Sequence, residues 1–239
     1  MTQNKEDYLR LQSLRVSALY NNAATPVVVM LCGALGLVIT LWNENNSTSI
    51  ISWFIALVAI TLVRCAIVWK YHQKEQKPET YPYWLNIYFI GTLFSGMAWG
   101  STAFLLPSDF NILELGLIAM FMLVVISGSI GIYSVFKRIY YALSLPSILP
   151  FIILLFLQND KQMHDLCIIT TLFTFFIFII HYHAQRITNQ LLQVKYDNKL
   201  LLENYEKDQD RINILERLYI TRTDQLEKAQ FELSYLKKK

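Results

Sequence analysis

Every glycine of this 239-residue chain lies at or before Gly131, and every proline at or before Pro150. Residues 151–239 therefore hold no strong helix breaker beyond a polar turn around Asn159. From Ile187 an alternating four-three spacing runs through Leu191, Val194, Leu201, Ile212, Leu215, Leu226, Leu233 and Leu236. That spacing is a coiled-coil seam. It predicts a helix that leaves an apolar block near residue 183 and continues to about residue 235. At about 1.5 Å per residue, its polar part would reach roughly 75–80 Å.

The block before it sets the class. The chain is 54% hydrophobic and 16% charged, and the charges are segregated. More than half of the Lys and Arg residues follow His183, whereas residues 84–136 carry only Asp109 and Glu114. Six stretches are long and apolar enough to cross a bilayer: Ala23–Trp42, Ile50–Trp69, Trp84–Leu106, Ile112–Phe136, Tyr140–Leu157 and Leu166–Tyr182. The expected fold is an all-α membrane protein, a six-helix transmembrane bundle with a long C-terminal cytoplasmic coiled-coil helix. The expected parts are an amphipathic N-terminal segment over 1–22, the bundle over 23–182 and the coiled coil over 183–239. Tyr8, Leu11, Leu14, Ala18 and Leu19 would share one face of the N-terminal helix. That helix would either lie on the inner membrane surface or extend the first span.

Loop charge gives an orientation. Lys5, Arg10 and Arg15 precede the first span, Lys70, Lys74 and Lys77 follow the second, and Lys137 and Arg138 follow the fourth. Lys161 is the only basic residue in the alternate loops, so both termini are expected in the cytoplasm. The first apolar span follows a polar segment with both charge signs and has no small-residue cleavage site after it, which argues against a cleaved leader. The net charge of +3 and the mixed signs of the tail give no nucleic-acid patch.

With Leu191 at position a, the a series is Leu191, Asn198, Tyr205, Ile212, Tyr219, Leu226 and Leu233. The d series is Ile187, Val194, Leu201, Asp208, Leu215, Arg222, Ala229 and Leu236. A single Asn at a selects register and favours dimers. In a parallel pair, Arg211 would meet Glu216 of the other copy, and Glu232 would meet Lys237. A parallel homodimer is the expected state; packing on a different soluble protein is the alternative. Asp208 and Arg222 would each face their own copy and weaken their layers, leaving the seam able to switch between packings of similar energy.

Catalytic constellations are not read anywhere, and neither is a cofactor or metal site. The residues after His183 include no His, Cys or Gly, so they offer no phospho-accepting histidine, Gly-rich phosphate loop or nucleophile elbow. Cys32, Cys65 and Cys167 fall inside apolar spans without metal spacing and read as small hydrophobes. His181 and His183 are two apart, on different sides of a helix, and suit interfacial packing better than a shared metal. Glu114, three residues after Asn111, completes a capping box. Arg64 is the basic residue well inside a span; it is either functional or snorkels to the inner face. Gly96 with Gly100, and the Ser127–Gly131 run, allow close helix approach. A signal pocket beside these patches would use Arg64, Trp99 and Tyr133. Pro146 and Pro150 would kink the fifth span, with their freed carbonyls satisfied by neighbours.

The six-span layout with short loops, the Gly96–Gly100 turn, the Phe136–Pro150 stretch and the Asn198–Asn204 run together resemble the N-terminal membrane-sensor regions of bacterial GGDEF/EAL cyclic-di-GMP enzymes and hybrid histidine kinases. The resemblance covers roughly residues 15–215. It implies a dimer in the bacterial inner membrane that passes a stimulus down a signalling helix. Such regions normally continue into a catalytic domain, and no such domain is read here. The expectation is therefore a non-enzymatic sensory and transmission module acting on a cytoplasmic partner. The rivals are a structural scaffold recruiting a soluble protein and a truncated cyclase or kinase receptor. A transporter is disfavoured, because the spans lack paired intramembrane charges.

Overall fold

The computed structural model describes residues 2–42, 47–74, 77–105 and 111–236, with side chains over 7–42, 47–74, 77–105 and 111–229. Leu106, Asp109, Lys237 and the side chains of Lys5, Glu232, Leu233 and Leu236 lie outside the described residues. Among the described residues the chain is helical, with no strand. The helices are α1 (Thr2–Asn21), α2 (Ala24–Leu41), α3 (Ser47–Gln73), α4 (Tyr81–Gly100), α5 (Ile112–Gly128), α6 (Ile130–Tyr133), α7 (Lys137–Phe156) and α8 (Lys161–Leu236). Short 3₁₀ turns over Pro78–Thr80 and Ser101–Phe104 flank α4. The chain divides into two compact units, Met1–Leu192 and Gln193–Lys239.

Among the described residues, five segments are long and apolar enough to cross a membrane: Asp7–Leu41, Ser47–Gln73, Ile112–Tyr133, Lys137–Phe156 and Lys161–Ala229. The expected third span, now α4, is not among them. Its N-terminal half carries Tyr81, Tyr83, Asn86 and Tyr88 in place of aliphatic residues. It ends at Gly100, earlier than Leu106, in a 3₁₀ turn whose Thr102 hydroxyl donates to the Trp99 carbonyl at 2.7 Å. The expected fourth span is one candidate segment, Ile112–Tyr133, with a one-residue turn inside it and its end three residues before Phe136. α5 stops at Gly128, and α6 restarts after Ser129, whose hydroxyl donates to the Ile126 carbonyl at 2.7 Å. Asn111 caps α5, its side chain accepting from the Leu113 N–H at 3.2 Å.

The tightest packing in the first unit is between α4 and α7, and its cause is local. Pro146 and Pro150 have no N–H, so the carbonyls of Ala142 and Pro146 lose their helical donors. α4 brings its two glycines onto this stretch. A Cβ on Gly96 would lie 2.7 Å from the Ala142 oxygen and 2.6 Å from the Leu143 oxygen. A Cβ on Gly100 would collide with the Pro146 oxygen. Glycine is needed here for so close an approach of the two backbones. The Ser147 hydroxyl bridges Leu143 O (2.7 Å) and Gly96 O (3.3 Å).

Around this pair the core collects α2, α3 and α5. Gly33 of α2 allows Val125 and Trp99 to close in. Trp53 donates its indole N–H to Ala98 O at 2.6 Å and meets Trp99 edge-on. α1 packs into this unit by a face that only partly matches the sequence pattern: Leu19 is shared and Leu11, Leu14 and Ala18 are half-buried. Gln12, Val16, Leu19 and Tyr20 are buried, whereas Tyr8 is exposed. Tyr20 sets that rotation: its ring stacks on Tyr71 at 3.9 Å, and its hydroxyl donates to Trp84 O at 3.0 Å.

The first unit extends ten residues past the apolar span that ends at Tyr182, because α8 keeps packing on it. Met163, Cys167, Thr170, Thr174, Ile177, His181 and Gln185 are buried at steps of three or four residues, and Leu192 packs on the core. His181 stacks on Tyr140 with centroids 3.6 Å apart.

Candidate functional site

Arg64 lies on the α3 face that meets α4. Its guanidinium is turned into the bundle, and the residue is 6% exposed. Nη1 donates to the Ser95 hydroxyl at 3.0 Å and lies 3.6 Å from the Met30 sulfur. Nη2 donates to the Tyr133 hydroxyl at 2.9 Å. The guanidinium carbon also lies 5.6 Å from the Tyr88 ring centroid, a cation–π distance. Every one of these partners is neutral. Among the described residues no carboxylate forms an ion pair with Arg64; the ion pairs found, Lys199–Glu203 and Arg211–Asp208, are both on the polar part of α8. A guanidinium has five N–H donors, and these acceptors engage three of them.

Beside Arg64, between α3 and α4, runs a groove of about 390 Å³. Its wall is apolar except for Arg64: Ala59, Ile60, Val63 and Ile67 from α3, and Ile87, Ile90, Gly91 and Phe94 from α4. Gly91 packs directly on the Arg64 stem, and the guanidinium beyond it is turned away from the groove. A Cβ there would sit 3.2 Å from Arg64 Cγ and 3.7 Å from Nε.

Of the three residues expected around a signal pocket, Arg64 and Tyr133 are brought together. Trp99 is fully buried against Trp53 and does not line this groove. Tyr133 also stays off the groove wall and touches the site through its hydroxyl. The sequence reading missed Tyr88, Gly91 and Ser95. Their three-four spacing on α4 carried the signal, a polar and small stripe opposite Arg64, but the neighbouring Gly96 and Gly100 drew attention to another face.

A second polar contact starts one residue from Tyr133. The Ser134 and Thr188 hydroxyls are 2.9 Å apart and join the end of α6 to α8. Thr188 sits among the seam positions Ile187 and Leu191, which are 57% and 64% exposed. α8 thus turns one stripe inward and leaves the seam stripe uncovered. Further along, in the second unit, Val194, Leu201, Ile212, Leu215 and Leu226 are each exposed too. Asp208 lies 3.7 Å from Arg211 on the same exposed helical surface.

No family model matches the chain, and no curated protein or solved structure is found to be similar to it.

Proposed function

We propose that the chain is the input and transmission part of a membrane receptor and has no enzymatic role of its own. The helical bundle sits in a bacterial inner membrane with both termini in the cytoplasm. It registers a membrane-soluble cue near Arg64 and passes it along α8 to a parallel homodimeric coiled coil, which acts on a cytoplasmic signalling protein. The observation that carries this reading is the bare seam. Apolar residues at heptad spacing, from Ile187 through Leu226, stand exposed on a single chain; Leu202, Ile214, Leu218 and Ile220 are exposed too, and the heptad spacing is what sets the seam apart. A helix patterned in this way gains stability when a second copy covers the stripe. The Arg64–Tyr133 and Ser134–Thr188 contacts support an input close to the start of that seam.

Single cysteines at Leu201, Leu215 and Leu226, in a chain with Cys32, Cys65 and Cys167 replaced by Ser, test the reading in native membranes. Disulfide-linked dimers are expected at all three positions. Their relative yields are expected to shift when bilayer composition is altered or membrane-soluble amphiphiles are added. Constant yields under every condition would favour a scaffold that recruits its partner without a stimulus. Absence of cross-linking at all three would remove both readings.

A further inference from the structure

The seam of α8 begins inside the first unit: Ile187 and Leu191 lie within Met1–Leu192, and both are exposed. Toward the start of α8 the same side of the helix presents Ile180, Phe176, Phe173 and Ile169, at steps of four and three residues. Each of these four is more than half exposed, so the bundle leaves them uncovered. The face that α8 buries, marked by Thr170, Thr174, His181 and Gln185, lies roughly a third of a turn away at about 100° per residue.

In an apolar span every exposed stripe is apolar, so composition does not single this one out. Continuity of the helix does. α8 carries no glycine or proline and runs without a break from Lys161 past Leu191, so the usual causes of a sharp kink are absent. Two copies paired at Ile187 and Leu191 stand about 8–10 Å apart, axis to axis, and cross at roughly 20°. Ile180 lies ~10 Å and Phe173 ~21 Å along the axis from Ile187. Straight helices at that angle are still only about 12 Å apart at Phe173, close enough for two phenylalanine side chains to meet.

We propose that this stripe of the apolar span is covered by the same stripe of a second copy, so that the two α8 spans run side by side along the two-fold axis. Because the buried face lies on another side of α8, each copy keeps its own bundle packed without displacing the partner. The seam supplies the affinity. Once it tethers the copies, the spans meet at high effective concentration and need only side-chain packing to stay together. The proposal rests on the homodimer reading of the coiled coil and extends that interface into the bilayer.

The test uses single cysteines in the full chain with Cys32, Cys65 and Cys167 replaced by Ser, oxidised by copper phenanthroline in native membranes. Three neighbouring pairs share a depth but differ by about 100° around the helix: Ile169 with Ile168, Phe176 with Phe175, and Ile180 with Ile179. All six side chains are exposed on the bundle, so their replacement leaves its packing in place. The first residue of each pair is expected to give roughly ten times more dimer than the second, because a disulfide needs Cβ atoms about 4 Å apart. Equal yields within all three pairs, or dimers confined to Ile168, Phe175 and Ile179, would overturn the proposal. If Leu201→Cys still cross-links in that case, the seam stands and lipid covers the span. Absence of cross-linking both on the stripe and at Leu201, Leu215 and Leu226 would remove the homodimer reading as well. Cross-linking of the stripe without the seam would keep the interface in the membrane and remove the coiled coil. If oxidation fails in the bilayer core, spin labels on Phe176 and Phe175 decide: the Phe176 labels are expected to be the closer pair, and the reverse order would overturn the proposal.

Discussion

The α4–α7 contact and the polar part of α8 handle the same helical backbone in opposite ways. In the first, two prolines free carbonyls and two glycines let a neighbouring helix close on them, so the interface is completed within one chain. In the second there is no glycine or proline, the helix is regular, and its apolar stripe is left uncovered. The first region is specified by shape and tolerates little added volume. The second is specified by periodicity, and its stability depends on what covers it.

The sharpest way to break this contrast is to add volume at the glycines. Gly100→Leu is expected to destabilise the bundle by about 3 kcal/mol, the upper end of overpacking costs, because the obstacle is the Pro146 backbone and not a movable side chain. Thermal unfolding of the purified chain in detergent measures this, and cross-linking through Leu226→Cys should be much less affected. Leu215→Ala should do the converse: no change in the folding of the bundle, and a dimer weakened by roughly 2 kcal/mol per copy, read as a concentration-dependent loss of dimer by mass photometry in nanodiscs.

Asp208→Leu with Arg222→Leu tests whether weak layers are part of the seam's function. Replacing like charges that would stack at d, Asp208 keeping only its exposed intrahelical pair with Arg211, is expected to strengthen the dimer by roughly 1 kcal/mol per layer. It should also reduce any stimulus-dependent shift in cross-linking. A stronger seam that still shifts as before would show that these layers have no switching role. The smallest effect is expected at the polar contact between α6 and α8. Ser134→Ala removes one hydroxyl partner of Thr188 and should cost about 1 kcal/mol. If the contact transmits the input, this change would blunt the cross-linking shift while leaving dimer yield intact.

The sequence pattern was a good guide wherever one period or one residue type decided the outcome. The break-free run after Pro150 continues as helix to Leu236 from the turn before Lys161, and the Gly96–Gly100 pair does mark a close helix approach. It was a poorer guide where tertiary contacts choose between equivalent faces. The buried face of α1 is set by the stacking of Tyr20 on Tyr71, a partner 51 residues away that no local period reveals. The fourth span carries a one-residue irregularity at Ser129 that hydropathy does not mark, although the segment Ile112–Tyr133 stays one apolar span. At the candidate site, Arg64 stood out because an intramembrane charge is rare. Its partners Ser95 and Met30 did not, because a serine or methionine within an apolar helix is usually a packing residue.

The central claim is that the seam of α8 pairs in parallel and in register with a second copy. Spin labels placed singly at Glu203, Arg217 and Asp224, all at the outer f position, test it by interlabel distances in the full chain in nanodiscs. A parallel in-register pair predicts nearly the same distance at all three sites. In an antiparallel pair, the axial offset between labels changes by roughly 3 Å for each residue moved along the helix, twice the rise per residue. Three closely matched distances are the predicted result; distances that differ by tens of ångströms across the three sites, or no dipolar coupling at any of them, would contradict it.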